Sequence, residues 1–287
     1  MRQVDINVPI GRVCGLFGRS RQGWYYKQKQ QDRRLFAEEV ILRLVKENRK
    51  LLPRLGGKKL YYMLQEELQS HHIKMGRDKF LELLKSHNMM VKRRKRYVRT
   101  TNSNHWMRKY PNLVEGKTLT QSGELYVSDI TYLRIKTGFV YLSLITDAYS
   151  KKIMGYYVHP SLTTKGCLMA LKMALSEHKK GTILPIHHSD RGLQYCSEEY
   201  TKLLKKHKFE ISMTQSGSPY DNAVAERVNG ILKDELLDYK TFKNLTEARA
   251  EVKQAVEKYN GIRPHLSCGM LTPLQAHSYT GKLEQLW

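Results

Sequence analysis

Residues 124–135, ELYVSDITYLRI, decide the fold together with 139–150, FVYLSLITDAYS, and 151–161, KKIMGYYVHPS. All three runs are rich in β-branched and aromatic side chains, and short turns at Thr137-Gly138 and Ser150-Lys151-Lys152 join them. Three strands linked so tightly read as an antiparallel meander. Downstream the pattern alternates. A helix over 164–178 precedes a buried strand at 183–188, a helix at 197–207 and a strand at 209–214. One helix follows Ser218-Pro219 and another covers 246–259. The order β-β-β-α-β-α-β-α describes an α/β domain with a mixed sheet flanked by helices.

Within that frame three acids take special positions. Asp129 projects from the middle of the first strand. Asp190, in HSDRGLQY, falls directly after the fourth, at the carboxyl end where open α/β sheets place ligands. Glu226 lies in SPYDNAVAERVNGILKDE. Ser218 suits the cap there, Pro219 the first helical position and Asp221 a capping box, which puts Glu226 about two turns inside the helix. Three carboxylates at one sheet edge repel unless a cation joins them. Mg²⁺ (or Mn²⁺) prefers a few carboxylates plus water and substrate phosphate, and two such ions ~4 Å apart serve in-line displacement at phosphorus. Taken singly, each acid reads as a surface or capping group. Asp147 reads as a strand-end or turn residue, His187-His188 as a strand end without zinc-type spacing, and Asp221-Asn222 as a helix start.

Charge divides the chain. Residues 1–120 carry 28 Lys and Arg against 10 Asp and Glu, whereas 121–287 carry 22 against 17. A strongly basic half beside a nearly balanced one points to a part that grips a polyanion. Residues 10–26 read as two short helices around a turn at Gly18, with Ser20 capping the second. Helices follow at 35–50, 58–68 and 76–87, the last with Phe80, Leu83 and Leu84 inward and Arg77, Lys79 and Lys85 outward. This is a small all-α, helix-turn-helix type of region, for which a helical bundle with a solvated basic face is the plainer reading. Lys92, Arg93, Arg94, Lys95, Arg96 and Arg99 then crowd six charges into eight residues, which repel unless phosphates neutralise them. The resulting division is 1–34, a short helix-turn-helix-like segment; 35–91, a helical DNA-binding domain; 92–119, a basic linker; and 120–281, a catalytic core.

Several classes are disfavoured. The four cysteines (Cys14, Cys167, Cys196, Cys268) are far apart and fit neither a zinc ribbon nor a disulfide framework. No stretch approaches the ~20 apolar residues of a membrane span, and the N-terminus lacks the apolar run of a signal peptide. A cytoplasmic protein working at bacterial DNA is expected.

The motifs also carry a resemblance. Asp129, Asp190 and Glu226, with 35 residues between the last two, resemble the D,D-35-E signature of transposases with a retroviral-integrase-like core. HSDRG-x-QY, YDNA-x-AE, LKDE, and YNGIRPH followed by LTP are similar to motifs of the OrfB proteins of bacterial insertion sequences. The likeness covers nearly the whole chain. It implies a ribonuclease H-like core behind a helix-turn-helix region, and two ions held by Asp129, Asp190 and Glu226. It further implies metal-dependent cleavage and strand transfer of double-stranded DNA, at element ends and target. Lys233, seven residues after Glu226, matches a basic residue placed to touch DNA ends. Tyr259, Asn260, Arg263, Pro264 and His265 match the C-terminal motif, in which Arg263 reads equally as a bidentate phosphate ligand or as part of a structural turn. The chain departs from the family at Tyr126, where Trp is common, and at Arg227, where Ser is common; neither supplies a ligand. A homo-oligomer on two DNA ends is implied, and fusion with the product of an upstream frame is a further expectation. A nuclease on the same fold that performs no joining, and an inactive DNA-binding regulator, are the alternatives.

Overall fold

The computed structural model describes residues 9–92, 106–178, 184–215 and 222–284. The chain packs as two compact units, one from residues 1–48 and 64–90, the other from 49–63 and 91–287. The first holds helix α1 (Ile10–Leu16), most of α2 (Arg21–Leu51), α4 (Gln65–Ser70) and α5 (Arg77–Ser86). Its buried residues include Ile41 and Val45 of α2, Leu68 of α4, and Phe80 and Leu84 of α5. The turn before α2 is as read: Gly18 has φ +60, and the Ser20 hydroxyl accepts from Gly23 N at 3.0 Å.

Two boundaries differ from the sequence reading. Helix α2 runs unbroken through 27–34, KQKQQDRR, where no apolar period announces it. These side chains are almost all good helix formers with neither Gly nor Pro among them, so intrinsic propensity carries the helix across an exposed stretch. Residues 49–63, assigned above to the helical domain, pack instead with the core unit and bring α3 (Gly57–Met63) with them. Leu52, Leu55 and Leu60 are each at most 2% exposed there, which explains the grouping.

The core unit is built on one five-stranded sheet, order β3-β2-β1-β4-β5. Strands β1 (Leu125–Ile135), β2 (Gly138–Asp147) and β3 (Ile153–His159) form the antiparallel meander. Strands β4 (Ile186–Ser189) and β5 (Glu210–Met213) run parallel to β1. Alternation along the strands gives the sheet two apolar faces. On one, Tyr126, Ile145, Met154 and Ile211 pack under α6 (Thr164–Glu177), α7 (Leu193–Cys196) and α8 (Glu198–Lys206). On the other, Leu133, Val140, Leu142 and Leu144 meet α9 (Ala223–Ile231) and α10 (Leu245–Gly261). Gly155 lets β3 and α6 touch, since a Cβ there would lie 2.1 Å from Ala170 O. Helix α11 (Pro273–Ser278) ends the described elements, with Thr272 and Gln275 forming a capping box. The α/β class and the helix-flanked mixed sheet stand as read.

Candidate active site

Parallel pairing of β1 with β4 fixes where two of the acids meet. The register ends at Ser128 opposite Ser189, so Asp129 and Asp190 are the next residues on adjacent strands, which lie ~4.8 Å apart. Beyond that point β4 stops while β1 continues beside β2, and among the described residues the next backbone partner on the β4 side is Phe242, whose N donates to Arg134 O at 2.9 Å. The edge of β1 is therefore open beside the acids. Asp190 turns back on itself, its Oδ1 accepting from Gly192 N at 3.0 Å. Gly192 leaves room there, since a Cβ would stand a tight 3.0 Å from that oxygen.

Helix α9 brings the third acid. Asn222 donates its Nδ2 to Ser128 O at 2.9 Å and so ties the helix start to β1. It makes no side-chain cap. The helix begins at Ala223, and Glu226 falls in its first turn rather than two turns inside. Ser218, Pro219 and Asp221, the expected starting residues, lie outside the described residues. One turn beyond the exposed Glu226, Asn229 donates its Nδ2 to Asp129 Oδ2 at 2.7 Å. Ile130 N donates to the other oxygen at 2.8 Å. Asn222 stands at the helix start as read from sequence; Asn229 was not singled out, although it sits three residues after Glu226 and so shares its helix face.

The acids act on one another electrostatically. Burial first, then the neighbouring Asp190 and Glu226 charges, push the Asp129 carboxyl up to about 7, against the two hydrogen bonds that favour its ionised form. Among the described residues no three His, Cys, Asp or Glu side chains already surround one point as a metal-holding set. The donor chemistry nonetheless fits a hard divalent cation, since every candidate ligand is an oxygen. Two further buried oxygens near the acids, Asn222 Oδ1 and Asn229 Oδ1, have no hydrogen-bond partner among the described residues.

Lys233 does not continue the α-helix. It lies in a π-helical turn, Leu232–Leu236, and its Nζ donates to Thr131 Oγ1 at 3.1 Å, two residues along β1 from Asp129. Arg77, Lys79 and Lys92 are exposed, as a phosphate-contacting role requires. Arg93, Arg94, Lys95 and Arg96 lie outside the described residues.

Arg263 is the correction. Its guanidinium is fully buried and forks onto Glu235, Nε to Oε2 and Nη2 to Oε1, both at 2.8 Å. A side chain so enclosed and so paired cannot reach a DNA phosphate. Its neighbours are structural too. Asn260 brackets Ile153 with two 2.9 Å bonds, and Tyr259 OH donates to Lys151 O at 2.9 Å. The YNGIRPH motif thus fastens the end of α10 to β3 and to the π-helical turn.

The remaining candidates have structural partners. Asp147 is buried and accepts from Gly123 N at 2.7 Å and from Ser150 N and Oγ at 2.7 and 2.6 Å. His187 Nε2 sits 2.7 Å from Ser128 Oγ and 2.9 Å from Tyr200 OH, and burial pushes its pKa down to about 3. Tyr126, at a position where the family often has Trp, packs against Phe209 and hydrogen-bonds His178 Nδ1 at 2.8 Å.

An open strand edge with two aspartates side by side and a glutamate on the facing helix is the arrangement of an integrase-type core. Residues 120–219 and 207–273 match two families, each described as an integrase core domain. The chain is 33% identical over 265 residues to the insertion element IS600 uncharacterized 31 kDa protein of Shigella sonnei, covering 91% of this chain and 96% of that one. It is 29% identical over 276 residues to the transposase InsF for insertion sequence IS3A of Escherichia coli K12, covering 93% of each. Among solved structures it is similar to the HTLV-2 integrase catalytic core domain in complex with magnesium, at 19% identity and a TM-score of 0.43 over 55% of this chain and 97% of that one. The chain belongs to the OrfB-type insertion-sequence transposases, with an integrase core domain.

Proposed function

We propose that the chain cleaves DNA at the ends of its insertion sequence and joins the freed strands to a target, with Asp129, Asp190 and Glu226 as the reacting centre. The reading rests on the parallel register that sets Asp129 beside Asp190 where β1 outruns β4. Water attacks the phosphodiester at the element end and frees a 3′-OH. That hydroxyl then attacks a second DNA phosphate, without a covalent enzyme intermediate. Asp129, Asp190 and Glu226 would hold magnesium or manganese ions, which would supply activation of the attacking oxygen and stabilisation of the leaving one. The chain's own residues do the positioning. Asn229 and Ile130 N orient the Asp129 carboxylate, and Gly192 N orients that of Asp190. Lys233, on Thr131, offers its ammonium to a phosphate beside the acids.

The exposed Arg77, Lys79 and Lys92, with the basic linker 92–119, supply salt-sensitive grip on the duplex. Copies assemble on paired element ends, at bacterial DNA in the cytoplasm; fusion to an upstream-frame product fits the same scheme. No helix among the described residues is long and apolar enough to cross a membrane. The test is an end duplex, its sequence read from the DNA flanking the gene, incubated with the protein and Mg²⁺ beside a labelled target. Strand-transfer products longer than the input are expected. Cutting without joined products would favour the nuclease alternative, and binding without either would favour the regulator.

A further inference from the structure

The open edge of β1 carries more than the acids. Lys233 reaches across it, with its Nζ 4.2 Å from the centroid of the Tyr132 ring and 5.8 Å from that of Tyr239. Tyr132 in turn meets Phe139 edge-on, with centroids 5.2 Å apart and planes at 87°. The Arg134 guanidinium lies 5.9 Å from the Phe139 centroid. Rings and cations therefore form a row that starts beside Asp129 and follows β1 away from it. From Asp129 to Arg134 the strand advances ~17 Å.

The local backbone works to build this row. After the π-helical turn, Asp238 and Tyr239 both adopt left-handed backbone, φ +48 and +52, a conformation that costs non-glycine residues energy and collects at functional sites. Tyr239 N donates to Lys233 O at 2.9 Å, which holds the tyrosine beside the lysine. Yet Tyr239 stays 44% exposed and Phe139 49% exposed. Rings kept for the core would be covered. These are held at the surface next to positive charge, Tyr239 near Lys233 and Phe139 at the far end of the row near Arg134.

We propose that Tyr132 and Tyr239, flanking Lys233, form a stacking subsite for an unpaired nucleotide adjacent to the phosphate at which the strand is cut. Aromatic faces interleaved with cations are what a single strand recognises: bases stack on rings while phosphates meet the charges. A base inside a duplex has neither face free for such a site and a terminal pair only its outer one, whereas an unpaired nucleotide offers both. The subsite thus selects DNA whose end has opened, and it draws the terminal base pairs apart as the end enters. The inference rests on the transposase reading for the location of the cut, while the binding chemistry stands on the row itself.

The test compares two probes with equal phosphates, a short oligothymidine and an abasic strand of the same length. The full-length protein should bind the thymidine strand more tightly by on the order of tenfold. Tyr239→Leu should remove most of that preference and leave abasic binding unchanged, while Tyr239→Phe keeps it. Tyr239 is exposed, so its variants should fold; Tyr132→Leu is the second probe. A preference that survives both leucine variants overturns the subsite. In the cutting assay, Tyr239→Leu should act poorly on a fully paired end and recover when the terminal pairs are mismatched; equal losses on both ends also overturn it. A protein that binds thymidine through Tyr239 but cuts neither end would sink the transposase reading and leave the subsite standing.

Discussion

Asp190→Ala is expected to reduce cutting of an end duplex in Mg²⁺ by more than about a thousandfold. Loss of a single preorganised donor already costs ~10²–10³ in comparable sites, and Asp190 is proposed as a direct ligand. DNA binding should survive. The substitution removes one negative charge from a protein with net charge +23, and the phosphate contacts that dominate affinity lie elsewhere. Folding should survive as well. The Asp190 carboxylate is only half-buried and accepts from Gly192 N, two residues along the same loop. A duplex-cleavage assay run beside a band-shift measurement separates the two effects. Full cutting by Asp190→Ala would remove Asp190 from the centre.

The second large effect concerns stability. Arg263→Met should cost about 3–5 kcal/mol, because it strands the Glu235 carboxylate in a nearly closed site. Burial works to raise the Glu235 pKa, yet the hydrogen bonds and charge of Arg263 hold it below the usual carboxylate range. Lys59 Nζ stands 3.9 Å from the same carboxylate and is the reserve cation. Burial, and then the Arg263 charge, push the Lys59 pKa down to about 7. With a depressed folded value, Lys59 contributes stability that is present above its ordinary pKa and lost as pH falls through about 7. Removing Arg263 lifts part of that depression, so Lys59 then gains a proton more readily and pairs with Glu235. The deficit of Arg263→Met should accordingly be larger at pH 9 than at pH 6. Chemical denaturation at the two pH values checks it, and a deficit that grows toward pH 6 contradicts the buried-pair account.

What could be read in the sequence follows the physics of each signal. The meander and the alternating βα run were legible because strand periodicity and tight turns are local. Asp129 was legible as a mid-strand residue, and Asp190 as a strand-end residue, for the same reason. Their neighbouring positions, however, depend on the β1–β4 register, which no local pattern encodes. Glu226 was placed one turn too deep because the sequence reading began the helix at Ser218-Pro219, whereas the described helix starts at Ala223. Arg263 matched a family motif but gave no hint of burial, since its partner Glu235 lies 28 residues away. The row of rings was hidden more thoroughly. It needs a π-helical turn and two left-handed residues, Asp238 and Tyr239, neither of them the glycine that would announce such backbone.

The central claim is that three separated acids serve one pair of ions. Crystals of the protein bound to an end duplex and soaked in manganese, read by anomalous scattering, address it directly. The account expects manganese between the carboxylates of Asp129 and Asp190, with Glu226 joining them. Manganese bound elsewhere on the complex, with nothing between those two aspartates, would contradict it.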